Sequence, residues 1–254
     1  MTSLAVLLGH DIGYSASPAM HNAAFAALEL DARYELRDVD PLSVADEVAA
    51  LLDNGRIGAN VTKPHKMAVC QLVDELGPEV RRLGAANTIV RRGDRLVARN
   101  TDLAAITGEL PTGISRAVVL GTGGASRAAV AALRDAGCKQ VLVVDRAHWV
   151  NLPGALMTAH LLVNATPVGT GSDDESPVPA ELLRPDLRVL DLVYRPSPTR
   201  LVRDARAAGA AAHGGAGVLL RQAALSFGLW TGRQAPVDVM RDALRAELGA
   251  GIDA

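Results

Sequence analysis

Residues 4–8 form an unbroken apolar run, which predicts a buried strand near the start of the chain. Ser17 and Pro18 then open a helix, with Ser17 as its cap and Pro18 in the first turn. Residues 33–39 alternate like a second strand. Ser43 with Asp46 resembles a capping box before a helix over 44–52. Residues 57–61 predict a third strand, followed by a helix start at Pro64. Arg92-Gly93-Asp94 is a hairpin turn between two short strands. The first hundred residues are therefore an α/β unit in their own right.

A second pattern begins near Arg116. Residues 117–120 are a continuous apolar strand, and Gly121-Thr-Gly-Gly-Ala125 follows. An alanine-rich helix over 126–136 ends at Gly137, and a strand over 141–144 closes on Asp145. This is a βαβ unit with a glycine-rich first turn. Strand-like runs recur at 161–163 and 189–193, and helices are predicted from about Thr199, from Ala216 and from Val237.

Composition narrows the class. The chain has 254 residues, 49% of them apolar and only 3% aromatic, so it is globular with a core of Ala, Val and Leu. Twenty-six basic residues against 28 acidic ones give no electrostatic reason to expect nucleic acid or an anionic membrane. Two cysteines are too few for a disulfide framework and fit a reducing compartment. With no signal-like or membrane-spanning run, a soluble cytoplasmic protein is expected. No metal site is expected.

Two regions carry chemistry. Gly121, Gly123 and Gly124 allow a tight turn and let a phosphate approach the backbone, and the next helix offers free N–H groups to it. The match to G-x-G-x-x-G is partial, because Ser126 follows and the last glycine is missing; such turns also occur for purely structural reasons. Asp145 sits where a carboxylate would bind ribose hydroxyls, which favours NAD, while Arg146 would meet a 2′-phosphate, which favours NADP. Asp145 also reads as a strand-end turn residue. In the first half, polar residues cluster in four segments: 14–18, 60–66, 84–88 and 100–102. Each flanks a strand-like run, so all can lie at one sheet edge. A Lys and an Asp there could pass a proton, and hydroxyls and amides could orient a polyhydroxylated ligand. Each residue singly also suits a cap or turn.

In order and over almost the full chain, these segments resemble the shikimate dehydrogenase family. Ser15-Ala-Ser17-Pro-Ala-Met-His21-Asn22 is similar to its S-x-S-P-x-x-H-N signature, and Asn60-Val-Thr62-Lys-Pro64-His-Lys66 to N-V-T-x-P-x-K. Gly84-Ala-Ala-Asn87-Thr88, Asn100-Thr101-Asp102 and Asn164-Ala-Thr166-Pro167 resemble G-A-x-N-T, N-T-D and N-x-T-P. Asp191-Leu-Val-Tyr194-x-Pro196 and the stretch from Gly215 to Gln222 resemble the closing motifs.

The resemblance implies reduction of 3-dehydroshikimate to shikimate with NADP, or with NAD where Asp145 decides. It makes Lys66 and Asp102 the acid–base pair. Ser15 and Ser17 would hold the substrate carboxylate, with Tyr194 nearby, and Asn60, Thr62, Asn87 and Gln222 would grip ring hydroxyls. Gly121, Gly123, Gly124, Ala125, Asp145, Arg146, Thr166, Leu192 and Gly215 would bind the cofactor. The implied fold is α/β: a substrate domain (1–104), a Rossmann-like parallel-sheet domain (105–213) and C-terminal helices (214–254) returning to the first domain. The partner is a small molecule, with no nucleic acid or membrane, and a homodimer is possible. The alternatives are a quinate or aminoshikimate dehydrogenase, or a cofactor-impaired ligand-binding relative.

The chain departs from the family at Asp11 (usually Pro), Tyr14 (usually His) and Leu192 (commonly Met). These changes affect loop shape more than chemistry. The larger departure follows Asp145, where only 18 residues precede Asn164. That is too short for a helix, a strand and a second helix. The cofactor domain is thus expected to lack the helix after its second strand and the edge strand that follows it.

Overall fold

The structure, a computed structural model, describes residues 2–249. Its packing forms two compact units, one holding the chain up to Asp102 together with Leu220–Glu247, the other holding Leu103–Leu219. Part of the predicted C-terminal stretch, residues 250–254, lies outside the described residues.

The first unit contains β1 (Ser3–Gly9), α1 (Ser17–Ala27), β2 (Ala32–Asp38), α2 (Val44–Ala49), β3 (Arg56–Val61), β4 (Glu75–Leu76), α3 (Pro78–Leu83), β5 (Thr88–Arg92) and β6 (Arg95–Arg99). Its sheet runs β2-β1-β3-β5-β6-β4. The three leading strands are parallel, and β5 is antiparallel to both β3 and β6. Val6, Leu8, Ala59, Val61, Ile89 and Ala98 turn into a core closed by Val44 and Val48 of α2.

The second unit follows α4 (Asp102–Thr107). It contains β7 (Arg116–Leu120), α5 (Gly124–Asp135), β8 (Gln140–Val144), α6 (Leu152–Leu156), β9 (Leu161–Asn164), β10 (Arg188–Asp191), α7 (Arg200–Ala207) and β11 (Ala212–His213). All five strands are parallel, in the order β11-β10-β9-β7-β8. The core gathers Val118, Leu120, Leu162, Val189, Leu152 and Leu156, with Trp149 packed against it. The link from β8 to β9 is a 3₁₀ segment (Arg146–Asn151) and α6, so β8 stands at the sheet edge. The helices α8 (Ala216–Thr231) and α9 (Val237–Leu248) end the described chain.

Three local expectations fail. Ser17 does not cap α1: Ala16 holds the cap position, and the Ser17 N–H donates to Ser15 Oγ at 3.3 Å. No capping box forms at Ser43, because its backbone is already helical (φ −102°, ψ 0°), and its side chain makes no cap bond. No α-helix starts at Pro64, which follows a cis peptide bond. Bonds to distant segments outnumber the one helix-type bond there, from Val69 N–H to His65 O (3.1 Å): His65 Nε2 meets Val39 O (2.9 Å), and Lys66 C=O accepts from Ala86 N–H (2.7 Å).

Candidate active site

Strand direction gathers the polar residues of the first unit. β1 and β3 end together, Leu8 opposite Val61. β5 leaves from that same edge, with Thr88 opposite Asn60, and β6 returns to it, with Arg99 opposite Thr88. The segments carrying Ser15 and Ser17, Thr62 and Lys66, Asn87, and Asp102 therefore share one sheet edge. Gly9 makes the approach possible, since a Cβ there would collide with the Thr62 methyl. Asp11 has φ 54°, a left-handed conformation closed to proline, so this departure from the family does reshape the loop. Lys63 Nζ lies 5.4 Å from the centre of the Tyr14 ring.

At the centre, Lys66 Nζ donates to Asp102 Oδ2 at 2.6 Å, and the two side chains are only 17% and 11% exposed. Asn87 Nδ2 donates to Asp102 Oδ1 at 2.8 Å, and Asn87 Oδ1 accepts from the Thr101 N–H at 2.7 Å. Gln222 Oε1 lies 3.5 Å from Asn87 Nδ2. The loop bearing Asp102 is pinned one turn earlier. Glu79 Oε1 accepts from Arg99 Nε (2.6 Å) and Asn100 N–H (3.1 Å), and Asn100 Nδ2 donates to Ala85 O (2.8 Å). Burial alone would raise the Glu79 carboxyl, but these donors outweigh it and hold it below its ordinary range.

Asn60 is buried with its amide committed. It accepts from Tyr34 Oη (2.9 Å) and donates to Asn87 O (3.1 Å), Thr88 Oγ1 (3.2 Å) and Ser226 Oγ (2.9 Å). Thr88, Thr101, Ser226 and Tyr34 thus belong to the network although sequence reasoning did not select them. Ser226 lies on α8, and a lone serine on an apolar helix carries no signal of such a partner. His21 is fully buried, and its ring stacks on Tyr34 at 4.4 Å. Neither ring nitrogen reaches a hydrogen-bond partner among the described residues. Burial lowers its pKa to about 3, with a smaller opposing influence from Asn60. The Ser15, Ser17 and Thr62 side chains share the edge of the Lys66 network rather than its hydrogen bonds.

In the second unit the parallel strands bring their C-terminal ends to one edge. Gly121–Ala125 follows β7, Asp145 and Arg146 follow β8, Thr166 follows β9, Leu192 and Tyr194 follow β10, and Gly215 follows β11. Gly121 has φ 100°, and a Cβ there would press on Ala165 O at 3.0 Å. A Cβ at Gly123 would meet open space, and the first N–H groups of the 12-residue α5 lie just beyond. Ser126 Oγ ties the loop back to Gly121 O at 2.6 Å. This turn fits a pyrophosphate.

Asn164 and Asp191 organise the same edge. Asn164 donates to Asp191 Oδ1 (2.8 Å) and accepts from Thr166 N–H (3.0 Å) and Oγ1 (2.7 Å). Burial pushes the Asp191 carboxyl up to about 6, against hydrogen bonds from Thr199 Oγ1 (2.7 Å), Val193 N–H and Asn164. Asp145 is committed differently. Its Oδ1 accepts from His148 N–H (3.0 Å) and lies 2.7 Å from His148 Nδ1, which holds the carboxyl below its ordinary range. Arg146 is exposed beside it.

Known proteins are similar to this chain in sequence and fold. The family model of the shikimate dehydrogenase substrate binding domain matches residues 7–89, and that of the shikimate 5′-dehydrogenase C-terminal domain matches residues 215–245. Shikimate dehydrogenase (NADP(+)) of Symbiobacterium thermophilum is 40% identical over 275 positions, covering 95% of this chain and 93% of that one. The chain belongs to the shikimate dehydrogenase family. The Methanopyrus kandleri member is 39% identical, covering 97% of this chain and 96% of its own. The crystal structure of shikimate 5-dehydrogenase from Thermus thermophilus in complex with NADP(H) and shikimate superposes with TM-score 0.86 at 36% identity, covering 97% of this chain and all of that one. Quinate dehydrogenase from Corynebacterium glutamicum, in complex with NAD, gives TM-score 0.82 at 26% identity, covering 96% and 99%. In the Symbiobacterium alignment, 95% of 254 residues fill 275 positions, so roughly thirty positions of that family member face no residue here. That length suits one helix and one strand.

Proposed function

We propose that this family member catalyses the reversible, nicotinamide-dependent interconversion of 3-dehydroshikimate and shikimate. The observation that carries the reading is the 2.6 Å contact between Lys66 Nζ and Asp102 Oδ2 at a polar sheet edge. An ammonium shared with a carboxylate is suited to give a proton to a carbonyl oxygen as it becomes a hydroxyl, and to take it back in reverse. Asn87 fixes the Asp102 carboxylate so that Lys66 keeps one orientation. Asn87, Thr62 and Gln222 orient ring hydroxyls. Asn60 holds Asn87 and Thr88 through its amide N–H groups and would meet a ring hydroxyl through the remaining lone pair of its Oδ1. Ser15 and Ser17 receive the substrate carboxylate, with Tyr194 as a further contact. The first unit is the substrate domain and the second the dinucleotide domain, with domain limits at 104 and 214.

The turn from Gly121 to Ala125 would hold the pyrophosphate, Thr166, Leu192 and Gly215 would line the nicotinamide side, and Asp145 and Arg146 would meet the adenosine ribose. The nicotinamide supplies or accepts the hydride when bound. NADP is the cofactor named for the Symbiobacterium and Thermus proteins above and NAD for the quinate dehydrogenase, and Asp145 favours NAD at comparable or better efficiency. No helix among the described residues is long and apolar enough to cross a membrane. We place the protein in the cytoplasm, where its two buried cysteine thiols suit a reducing environment.

The test is shikimate oxidation followed at the nicotinamide absorbance, with NADP and then NAD. Lys66→Ala should lower kcat by about 10²–10⁴-fold with a modest change in KM. A variant with near-normal kcat would remove Lys66 from the chemistry. Faster turnover of quinate than of shikimate would move the assignment to the quinate-oxidising branch.

A further inference from the structure

In the second unit, among the described residues, β8 pairs with β7 alone, so its other side is a sheet edge. Residues 141–144 of this edge read Val-Leu-Val-Val, so proline and charge, two features that commonly blunt an edge, are absent from them. Leu142 is 43% exposed and Val143 39%, on alternate faces of the strand. In the six-strand order of a dinucleotide-binding sheet, one more strand would flank this position.

Hydrogen-bond direction shows which groups are free. Gln140 N–H donates to Ser115 O (3.0 Å) and Val144 C=O accepts from Gly121 N–H (2.9 Å), so residues 140, 142 and 144 turn their backbone groups toward β7. Strand alternation then points the N–H and C=O of Val141 and Val143 outward. An antiparallel partner with the same sequence meets this edge in register when the twofold axis falls on a residue. Each outward residue then faces another outward one. With the axis at Leu142, Val141 lies opposite Val143, exchanging both backbone hydrogen bonds, and Leu142 meets its own copy. Just outside β8, where the Lys139 N–H also donates to Ser115 O (3.0 Å), the same register brings the Lys139 and Asp145 side chains of the two copies near each other, twice. Lys139 is exposed, and Asp145 engages His148 through Oδ1. Shifting the axis by one residue destroys this charge match.

We propose that β8 is a homodimer interface, pairing antiparallel with β8 of a second copy about an axis at Leu142 and joining two five-stranded sheets into one of ten. The backbone bonds and the covered Leu142 and Val143 supply the attraction. The Lys139–Asp145 pairs, being exposed, select the register more than they strengthen it.

The experiment is light scattering on the purified full chain over a concentration series, with cysteine crosslinking beside it. The molar mass should rise toward twice the monomer value, and Lys139→Glu, which sets like charges opposite each other, should shift that rise to at least tenfold higher concentration. Leu142→Cys should form a disulfide-linked dimer on air oxidation, because opposed residues in a non-hydrogen-bonded pair lie within disulfide range. Val143→Cys, which faces Val141, should not, and neither should the wild type, whose Cys70 and Cys138 are buried. A monomer at every concentration overturns the proposal. So does a dimer that is indifferent to Lys139→Glu, or one that fails to crosslink through Leu142→Cys.

Discussion

Asp145 is asked to do more than one thing. It caps the 3₁₀ segment through the His148 N–H, and in the proposed function it would meet the adenosine ribose. Its charge opposes a 2′-phosphate, and the His148 ring offsets that charge only when protonated. Asparagine can keep the cap while removing the charge. Asp145→Asn is therefore expected to leave thermal stability nearly unchanged and to raise the ratio of kcat/KM for NADP over NAD by about tenfold or more. An unchanged ratio would show that Asp145 does not face the ribose. Asp191 makes a pH statement. Its folded pKa, raised to about 6, means that the native state holds a proton which the unfolded chain releases near the ordinary value of 3.8. The associated stability is complete below the unfolded value and is lost as pH rises through 6. Between pH 5 and pH 7 wild type should lose about 1 kcal/mol that Asp191→Asn does not, as read by urea unfolding at both pH values. Lys66, Asp102 and Asn87 were legible in the sequence because three short motifs placed them. Ser226, Thr88 and Thr101 were not, because their roles arise only when segments far apart in the chain meet.

At the scale of elements, α8 is fitted to the first sheet through one glycine. Gly58 in β3 has φ 153°, and a Cβ there would strike Ile89 O and the Trp230 indole. Trp230 Nε1 in turn donates to Ile89 O at 3.0 Å. Gly58→Ala should cost at least about 2 kcal/mol by displacing this contact, measured by chemical denaturation. A near-neutral variant would mean that the helix yields easily. The long apolar strands and the helices over α5, α7, α8 and α9 could be read from periodicity. The starts at Ser17, Ser43 and Pro64 could not, because caps depend on backbone angles that composition does not fix. Around Lys66, bonds to β5's approach and to Val39 overrode local helix signals.

At the scale of the whole molecule, the two strand-and-helix patterns put a domain limit at 104, and the packing divides the chain after Asp102 and again before Leu220. The outward edge of β8 followed from counting residues after Asp145, but its register with another copy needed the hydrogen-bond directions. The chain's two tryptophans fall one to each unit. Trp149 packs on the core of the parallel sheet, and Trp230 lies 5.3 Å from the His21 ring, centre to centre. Each indole is thus a native optical label for its own half of the protein. With Trp230 replaced by Phe, the remaining emission follows the dinucleotide half alone. With Trp149 replaced, it follows the substrate half. Comparing the two emission curves in denaturant would show directly whether the halves come apart together or in sequence, without attaching any dye.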